Sequence, residues 1–317
     1  MDTKDTKILA ELAKNSRMPV QQIARKVGVS REVVTYRIKR FVEQGIIIDF
    51  YTTIDISALG YSRYGCLVQL RGISVEREKE LLSWIVRHDF LTYASPLVGR
   101  WNLSFDIFAR DQAHLKSVIQ EILDEIREYL DSYIILPISI YESFPVKVTG
   151  ESTSIKDYSS SQKIEIDEID KELLQLLAKD ARIEYREIAG KLRMTGNAIK
   201  YRIMRLQKIG VIKGYTIALD TWKLGYEFYN IQLKYLASRD ENLVAFLRRS
   251  PQATYFYQSL GNENWNFDIG VVAKNSEELR AFLMQLREEV GTSIKIHDIY
   301  AIGEMIKSDH VPKGVFQ

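Results

Sequence analysis

The sequence predicts an α+β protein built from one unit used twice, each unit a winged helix-turn-helix followed by a βαββαβ domain. Three observations predict it. First, a shift of 165 residues lays Asp5 on Asp170, Leu9 on Leu174, Ile23-Ala24 on Ile188-Ala189 and Tyr36-Arg37-Ile38 on Tyr201-Arg202-Ile203 without a gap. The match runs on through Gly45 and Gly210, Asp55 and Asp220, and Leu59-Gly60-Tyr61 and Leu224-Gly225-Tyr226, so the chain carries an internal repeat. Second, the start of each copy has helical spacing interrupted by a tight turn. Third, the remainder of each copy alternates strand and helix patterns in one fixed order.

Taken in order, residues 3–15, 19–26 and 30–44 are expected to be helices. Val27-Gly28-Val29 makes the turn between the second and third, and Ser30 caps the third. Along that helix Val34, Ile38 and Phe41 share one narrow apolar face. Gly45 stops it, and the β-branched run Ile46-Ile47-Ile48 opens a strand expected to return through Tyr51 to Ile54 as a two-stranded wing. Residues 64–70, 75–88, 91–98, 101–109, 111–128 and 133–141 then read strand, helix, strand, strand, helix, strand, the ferredoxin-like order. Asp111 is a good N-cap, and Leu115, Val118, Ile119, Ile122 and Ile126 form the stripe that faces the sheet. Sheet order 4-1-3-2 makes the second and fourth strands edges, which suits Pro96 and Pro137. The second copy repeats the pattern over 228–236, 241–249, 254–260, 264–273, 276–290 and 294–302, with Asn275 and Glu278 as a capping box. The expected division is 1–60 and 167–225 for the winged segments, 61–144 and 226–308 for the ferredoxin-like domains. Residues 145–166 between them are Ser-rich and aperiodic at 145–162 and read as a linker.

Composition restricts the functional classes. The single cysteine, Cys66, sits in an apolar run and reads as a buried small hydrophobe, so no disulfide framework exists. No apolar run approaches the roughly 18 residues of a membrane span, and the N-terminus is acidic where a signal peptide is basic, so a cytoplasmic protein is expected. The formal charge of +2 is uneven. Residues 1–50 hold ten Lys/Arg against six Asp/Glu and residues 165–215 eleven against eight, leaving the rest of the chain acidic. Two basic segments on an acidic body fit a polyanionic partner. No metal-ligand cluster, Walker loop, GxG pattern or Ser/His/Asp arrangement stands out, so no catalytic residue, metal or cofactor is expected.

A third helix reading Ser-x-x-x-Val-x-x-Arg-Ile-x-x-Phe/Leu, then Gly-Ile/Val-Ile, then a βαββαβ domain with a Gly-x6-Asp turn resembles the Lrp/AsnC family of transcriptional regulators. The resemblance covers nearly all of both copies. It implies an N-terminal half that binds double-stranded DNA and a C-terminal half that dimerises and binds a small effector, often an amino acid. A tandem departs from the usual single unit and looks like a covalent pseudo-dimer, itself able to form homo-oligomers through its ferredoxin-like domains.

Helical geometry turns Glu32, Thr35, Tyr36, Lys39 and Arg40 away from the buried stripe and toward a major groove, with Ser30 and Arg31 at the helix start. Arg37 lies beside the stripe and suits a phosphate contact or a structural bond to the first helix. In copy two the corresponding set is Thr195, Asn197, Lys200, Tyr201, Arg202, Met204 and Arg205. The two faces differ at Glu32/Asn197, Thr35/Lys200 and Lys39/Met204, so two unlike half-sites are expected. Copy two also has Arg193 where copy one has Gly28, and Gly196 in place of Arg31. If the turn needs positive φ, Arg193 costs about 1 kcal/mol there, and Gly196 in the first helical turn costs up to a similar amount, so weaker binding by copy two is expected.

For the effector, Trp101, Leu103, Phe105, Ile107 and Ala109 are expected on one strand face and Asn102, Ser104 and Asp106 on the other. Copy two gives Asn264, Asn266 and Asp268 as the polar row. A polar row on an apolar sheet needs partners across an interface or on a ligand. By resemblance the glycine turns, Gly99-Arg100-Trp101 and Gly261-Asn262, lie near the effector pocket. The alternative is an enzyme, because siroheme decarboxylases share this architecture in paired units. They need cationic and His groups around a tetrapyrrole, whereas His88, His114, His297 and His310 have no paired pattern across the repeat. An assembly partner that has lost DNA binding is a third reading.

Overall fold

The structure, a computed structural model, describes residues 1–144, 155–158, 163–236, 241–307 and 309–316. Unit one opens with α1 (Thr3–Lys14), α2 (Val20–Val27) and α3 (Arg31–Glu43). Asp2 and Asp5 cap α1 reciprocally, Gly28 at φ 72° ends α2, and Ser30 Oγ accepts from Val33 N at the start of α3. Then come β1 (Ile47–Ile54), β2 (Ser62–Leu70), α4 (Val75–Arg87), β3 (Leu91–Val98), β4 (Leu103–Ala109), α5 (Gln112–Ile126) and β5 (Leu130–Ser143). Most of the expected linker at 145–162 lies outside the described residues, but Ile155–Tyr158 forms a short β6 along β5. Unit two repeats the order as α6 (Glu168–Lys179), α7 (Tyr185–Leu192), α8 (Gly196–Lys208), β7 (Ile212–Leu219), β8 (Glu227–Tyr235), α9 (Glu241–Arg249), β9 (Ala253–Ser259), β10 (Phe267–Ala273), α10 (Ser276–Val290) and β11 (Ile294–Ile302).

The expected two-stranded wing does not form within a unit. Residues 50–53, Phe-Tyr-Thr-Thr, contain none of the Gly, Pro, Asn, Asp or Ser that favour a turn, so β1 continues as one strand and takes its partner from the other copy. It pairs antiparallel with β7, with Phe50 opposite Ile217 and Thr52 opposite Tyr215. The pairing carries side chains across. Ile217 of unit two is buried with Ile8, Leu9, Val34 and Phe41 of unit one, while Ile54 and Ile56 of unit one are buried with Leu173, Ile199 and Ile203 of unit two. Thr52 Oγ1 donates to Leu177 O and Thr216 Oγ1 to Ala13 O, both at 2.7 Å. Arg17 reaches Ile183 O at 3.0 Å and lies over the Tyr185 ring. The two helical heads are therefore one body.

Below them each unit makes a sheet in the expected 4-1-3-2 order, β5-β2-β4-β3 and β11-β8-β10-β9. The margins expected to be free edges are not free. β5 leaves β2 at Pro137 and pairs from Ile138 onward with β9, and β3 pairs at Leu97 and Val98 with β11. Eight strands thus close into a ring. Each proline sits at such a junction, where it need only accept: Pro96 O from Gly303 N at 2.8 Å and Pro137 O from Leu260 N at 3.0 Å.

α4 and α5 cover the outer face of sheet one, with Leu81, Ile85, Val118 and Ile122 on Leu103, Phe105 and Ile107. Phe246, Leu247, Phe282 and Leu286 of α9 and α10 do the same on Phe267 and Ile269. Between the sheets lies a smaller core of Leu67, Leu97, Trp101, Leu136, Trp265, Tyr300 and Ile302. Trp101 was expected on the same face as Leu103. Instead β4 begins only at Leu103, and the preceding turn swings the indole inward between the sheets. The C-terminal tail crosses back over unit one. Lys307 Nζ donates to the α4 carbonyl of Ile85 at 3.2 Å, and Val311 and Val315 enter the core of the second head.

Candidate DNA-reading surface and ligand cavity

The two recognition helices α3 and α8 keep their apolar stripes buried and their opposite faces open. Glu32, Thr35, Tyr36 and Lys39 are exposed, as are Asn197, Lys200, Tyr201 and Met204. Tyr36 and Tyr201, at equivalent positions, are 65% and 71% exposed. Ser30 and Thr195 serve as N-caps, while Arg31 and Gly196 open the helices in solvent.

The arginines behave differently from a pure 100° projection. Arg37 makes the structural bond to the first helix, reaching Asp2 at 2.7 Å and Asp5 at 2.6 Å, and Arg202 repeats it on Asp167 and Asp170. Arg40 and Arg205, expected to face the groove, turn back to Asp5 and Asp170, each at 2.7 Å. Their long side chains reach a buried carboxylate that a projection from Cα cannot foresee. The Arg37 guanidinium holds the Asp2 carboxyl down at about 2. At the two turns Gly28 and Arg193 both adopt positive φ, 72° and 52°, so Arg193 carries the strain anticipated for copy two.

Between the sheets is a cavity of about 160 Å³. Of the expected effector residues, Ser104 and Asp106 line it. Asp106 accepts from Arg63 Nε at 2.8 Å, and the Arg63 guanidinium lies 3.9 Å from the Tyr141 ring centroid. Burial pushes the Asp106 carboxyl up, against the pull of Arg63. Asp268 is buried beside the cavity, accepting from Asn230 at 2.8 Å and Gln232 at 3.2 Å. Burial raises its pKa to about 6 in spite of those donors.

The other expected residues are not brought together. Asn102 and Asn266 tie the β4 and β10 turns to Leu70 N and Tyr235 N. Gly99, Arg100, Gly261 and Asn264 are exposed at turns, and Asn262 Oδ1 accepts from Asn264 N. Trp101 and Trp265 are core residues, although Trp265 also reaches the cavity wall.

Arg63 and Tyr93 carry no site role in the sequence, and His310 enters there only as one of four histidines without a paired pattern. Arg63 begins β2, where the repeat has Phe228, an arginine-for-phenylalanine exchange that was the one available signal. Tyr93 sits at φ 49° in a β-bulge of β3, and His310 comes from the tail, so neither had any local signature. Tyr93 and His310 also line a second, larger cleft of about 880 Å³ beneath the β1–β7 pair, with Tyr51, Trp222 and Met305. The imidazole stacks on Tyr51 at 3.3 Å and its Nδ1 meets the Tyr93 hydroxyl at 3.1 Å.

Burial lowers the His310 pKa from 6.5 to about 3. Between those values the unfolded imidazole holds a proton that the folded one lacks, so stability falls as pH drops through that window. Asp268 acts oppositely between about 6 and 3.8, where the folded carboxyl is the better proton binder. Comparison with His310→Phe isolates the first contribution. The stability advantage of wild type over this variant should shrink as pH falls from 6.5 to 4 in denaturant melts; a constant difference would remove the assignment.

Residues 1–48 and 166–213 each match the model of a winged helix-turn-helix DNA-binding family. The chain is 32% identical over 149 residues to an uncharacterized HTH-type transcriptional regulator of Pyrococcus furiosus, spanning 46% of this chain and 97% of that one. The HTH-type transcriptional regulator LrpB of Bacillus subtilis is 39% identical over 90 residues, 25% of this chain and 60% of its own. Among solved structures, the siroheme decarboxylase NirDL superposes with a TM-score of 0.65 at 15% identity, covering 98% of this chain and 94% of its own. That likeness spans both units and is one of fold.

The protein is thus a DNA-binding transcriptional regulator of the winged helix-turn-helix class. It belongs to the Lrp/AsnC family, with two family units in one chain. Among the described residues no helix is long and apolar enough to cross a membrane.

Proposed function

We propose that one chain reads two unlike DNA half-sites at a fixed separation, and that a small ligand held by the lower domains sets how well it does so. The observation that carries the DNA part is the exposed pair Tyr36 and Tyr201 on helices whose heads share one β1–β7 core. Because the faces around the tyrosines differ at Glu32/Asn197, Thr35/Lys200 and Lys39/Met204, the same groove sequence does not satisfy both. Arg31, Arg37, Arg40, Arg202 and Arg205 flank these faces and are assigned to phosphates or to holding the helix, not to bases. Selection of bound duplexes from a random pool should return a non-palindromic site. Recovery of two identical half-sites from single chains would sink the reading.

Ligand control is supported by the cavity between the sheets and by the cleft that joins it to the heads' floor, both lined by Tyr93. The Gly99 and Gly261 turns are retained in the proposal only as supports for β4 and β10. Association of chains through the ferredoxin-like domains belongs to the same proposal, and a solution mass equal to one 36.8 kDa chain would remove it.

A second reading, a tetrapyrrole enzyme, draws on one observation. The cleft of about 880 Å³ holds a half-buried imidazole, and the similarly folded NirDL is a siroheme decarboxylase also solved with an iron-uroporphyrin III analogue. Purified protein with a porphyrin absorbance band and no affinity for any selected duplex would favour it over the regulator.

A further inference from the structure

The polar groups of the small chamber between the sheets decide what it can hold. Its lining contains two charges, Arg63 and Asp106, and they are bonded to each other. Both hydrogen bonds end on Asp106 Oδ2, leaving Oδ1 without a donor among the described residues. Three of the five tyrosine hydroxyls around it have partners: Tyr93 meets His310, Tyr255 donates to Asn230 Oδ1 and Tyr300 accepts from Asn230 Nδ2. Ser95 and Ser104 line the chamber, Ser95 only 2% exposed, and neither hydroxyl makes a hydrogen bond within the described residues. What remains for a guest is the Asp106 Oδ1 oxygen, the hydroxyls of Ser95, Ser104, Tyr141 and Tyr257, and the Trp265 indole N–H, which has no partner among the described residues. The rest of the wall is apolar and rich in rings, Phe105 and Phe228 standing with the faces of Tyr257 and Trp265.

A free amino acid fits this inventory badly. Its carboxylate would compete with Asp106 for the single guanidinium and its ammonium would compete with that guanidinium for Asp106, so both new charges would have to share an ion pair already formed, in a site where desolvated ions cost several kcal/mol. An uncharged molecule avoids that cost. Ring walls favour a flat aromatic guest, whose stacked and edge contacts add to simple burial. The vacant Oδ1 asks for one N–H or O–H donor, because a charge-assisted bond there is stronger than any neutral alternative in the chamber.

We infer that the chamber binds an uncharged, planar aromatic molecule carrying one hydrogen-bond donor, which it gives to Asp106 Oδ1 while Ser95 and Ser104 bond its remaining edge. This rests on the ligand part of the function proposed above and replaces the amino acid as its class. Entry is from the large cleft, past Tyr93 and Met305, which line both spaces. A guest there presses on the residue whose hydroxyl holds His310 against Tyr51 of β1.

The test uses the full chain with indole and phenol as probes, and leucine, alanine and glutamate as comparators. Melting temperature and tryptophan fluorescence are read together, since Trp265 lies in the wall. At least one aromatic probe should raise the melting temperature and change the emission, and the amino acids should do neither. Ser104→Leu fills the chamber and should weaken probe binding at least tenfold. Should Ser104→Leu fail to melt cooperatively, Ser95→Ala decides, with an expected loss of roughly three- to tenfold for one hydrogen bond. Silence from both probes up to their solubility limits, a response to the amino acids alone, or unchanged binding by both variants overturns the inference. Gel shifts on the selected duplex run in parallel. Probe binding that leaves DNA affinity unmoved upholds the site and overturns ligand control, whereas DNA binding with silent probes overturns the site and leaves the DNA-reading part of the proposed function standing.

Discussion

Replacing Ile217 by alanine is expected to cost about 2–5 kcal/mol and to loosen the first reading head rather than the one in whose sequence it lies. Ile217 belongs to β7, yet it is 5% exposed and packs with Ile8, Leu9, Val34 and Phe41. Native-state hydrogen exchange should quicken in α1, α2 and α3 while α6, α7 and α8 keep their protection. The mirror variant, Ile54→Ala, should do the opposite, because Ile54 packs with Leu173, Ile199 and Ile203. Cavity formation explains the size of the effect and strand exchange explains its address. Were each variant to loosen its own unit's helices, the pairing of β1 with β7 would be wrong.

The second large effect concerns specificity. Asn197→Glu, Lys200→Thr and Met204→Lys together give α8 the outward residues of α3. All three positions are exposed, so stability should hardly change. A well-placed base contact contributes about 1–3 kcal/mol of discrimination, so preference for the second half-site should move by tenfold or more. The triple variant should select two like half-sites from a random pool where wild type should select two unlike ones. An unchanged selection would mean that these side chains do not meet bases, and the Tyr36 and Tyr201 faces would lose their assigned role.

Much of this molecule was legible in its residues, because the signals were local. Ser30, Asp111 and Asn275 cap the helices expected of them, and the βαββαβ order followed from alternating periods. Pro96 and Pro137 pointed correctly to the second and fourth strands as the sheet margins. What those margins touch was not legible. A strand carries no record of which of two similar partners completes it, so β1 read as half of a hairpin when its partner was 165 residues away. Arg40 shows a smaller version of the same limit, since its position faced outward but its guanidinium reached Asp5. The cavity between the sheets was half visible: Ser104 and Asp106 stood in the polar row, but Arg63, Ser95 and Tyr93 come from strands whose side chains converge only after the sheets face each other.

The closed ring of eight strands has a consequence for the cell. A regulator assembled from separate subunits can trade them with any relative that offers a similar edge, and its operator preferences then depend on which mixtures form. Here each sheet margin is occupied by the same polypeptide, so the two heads always occur one to one and always together. Their recognition sequences are free to drift apart without ever producing a mismatched pair.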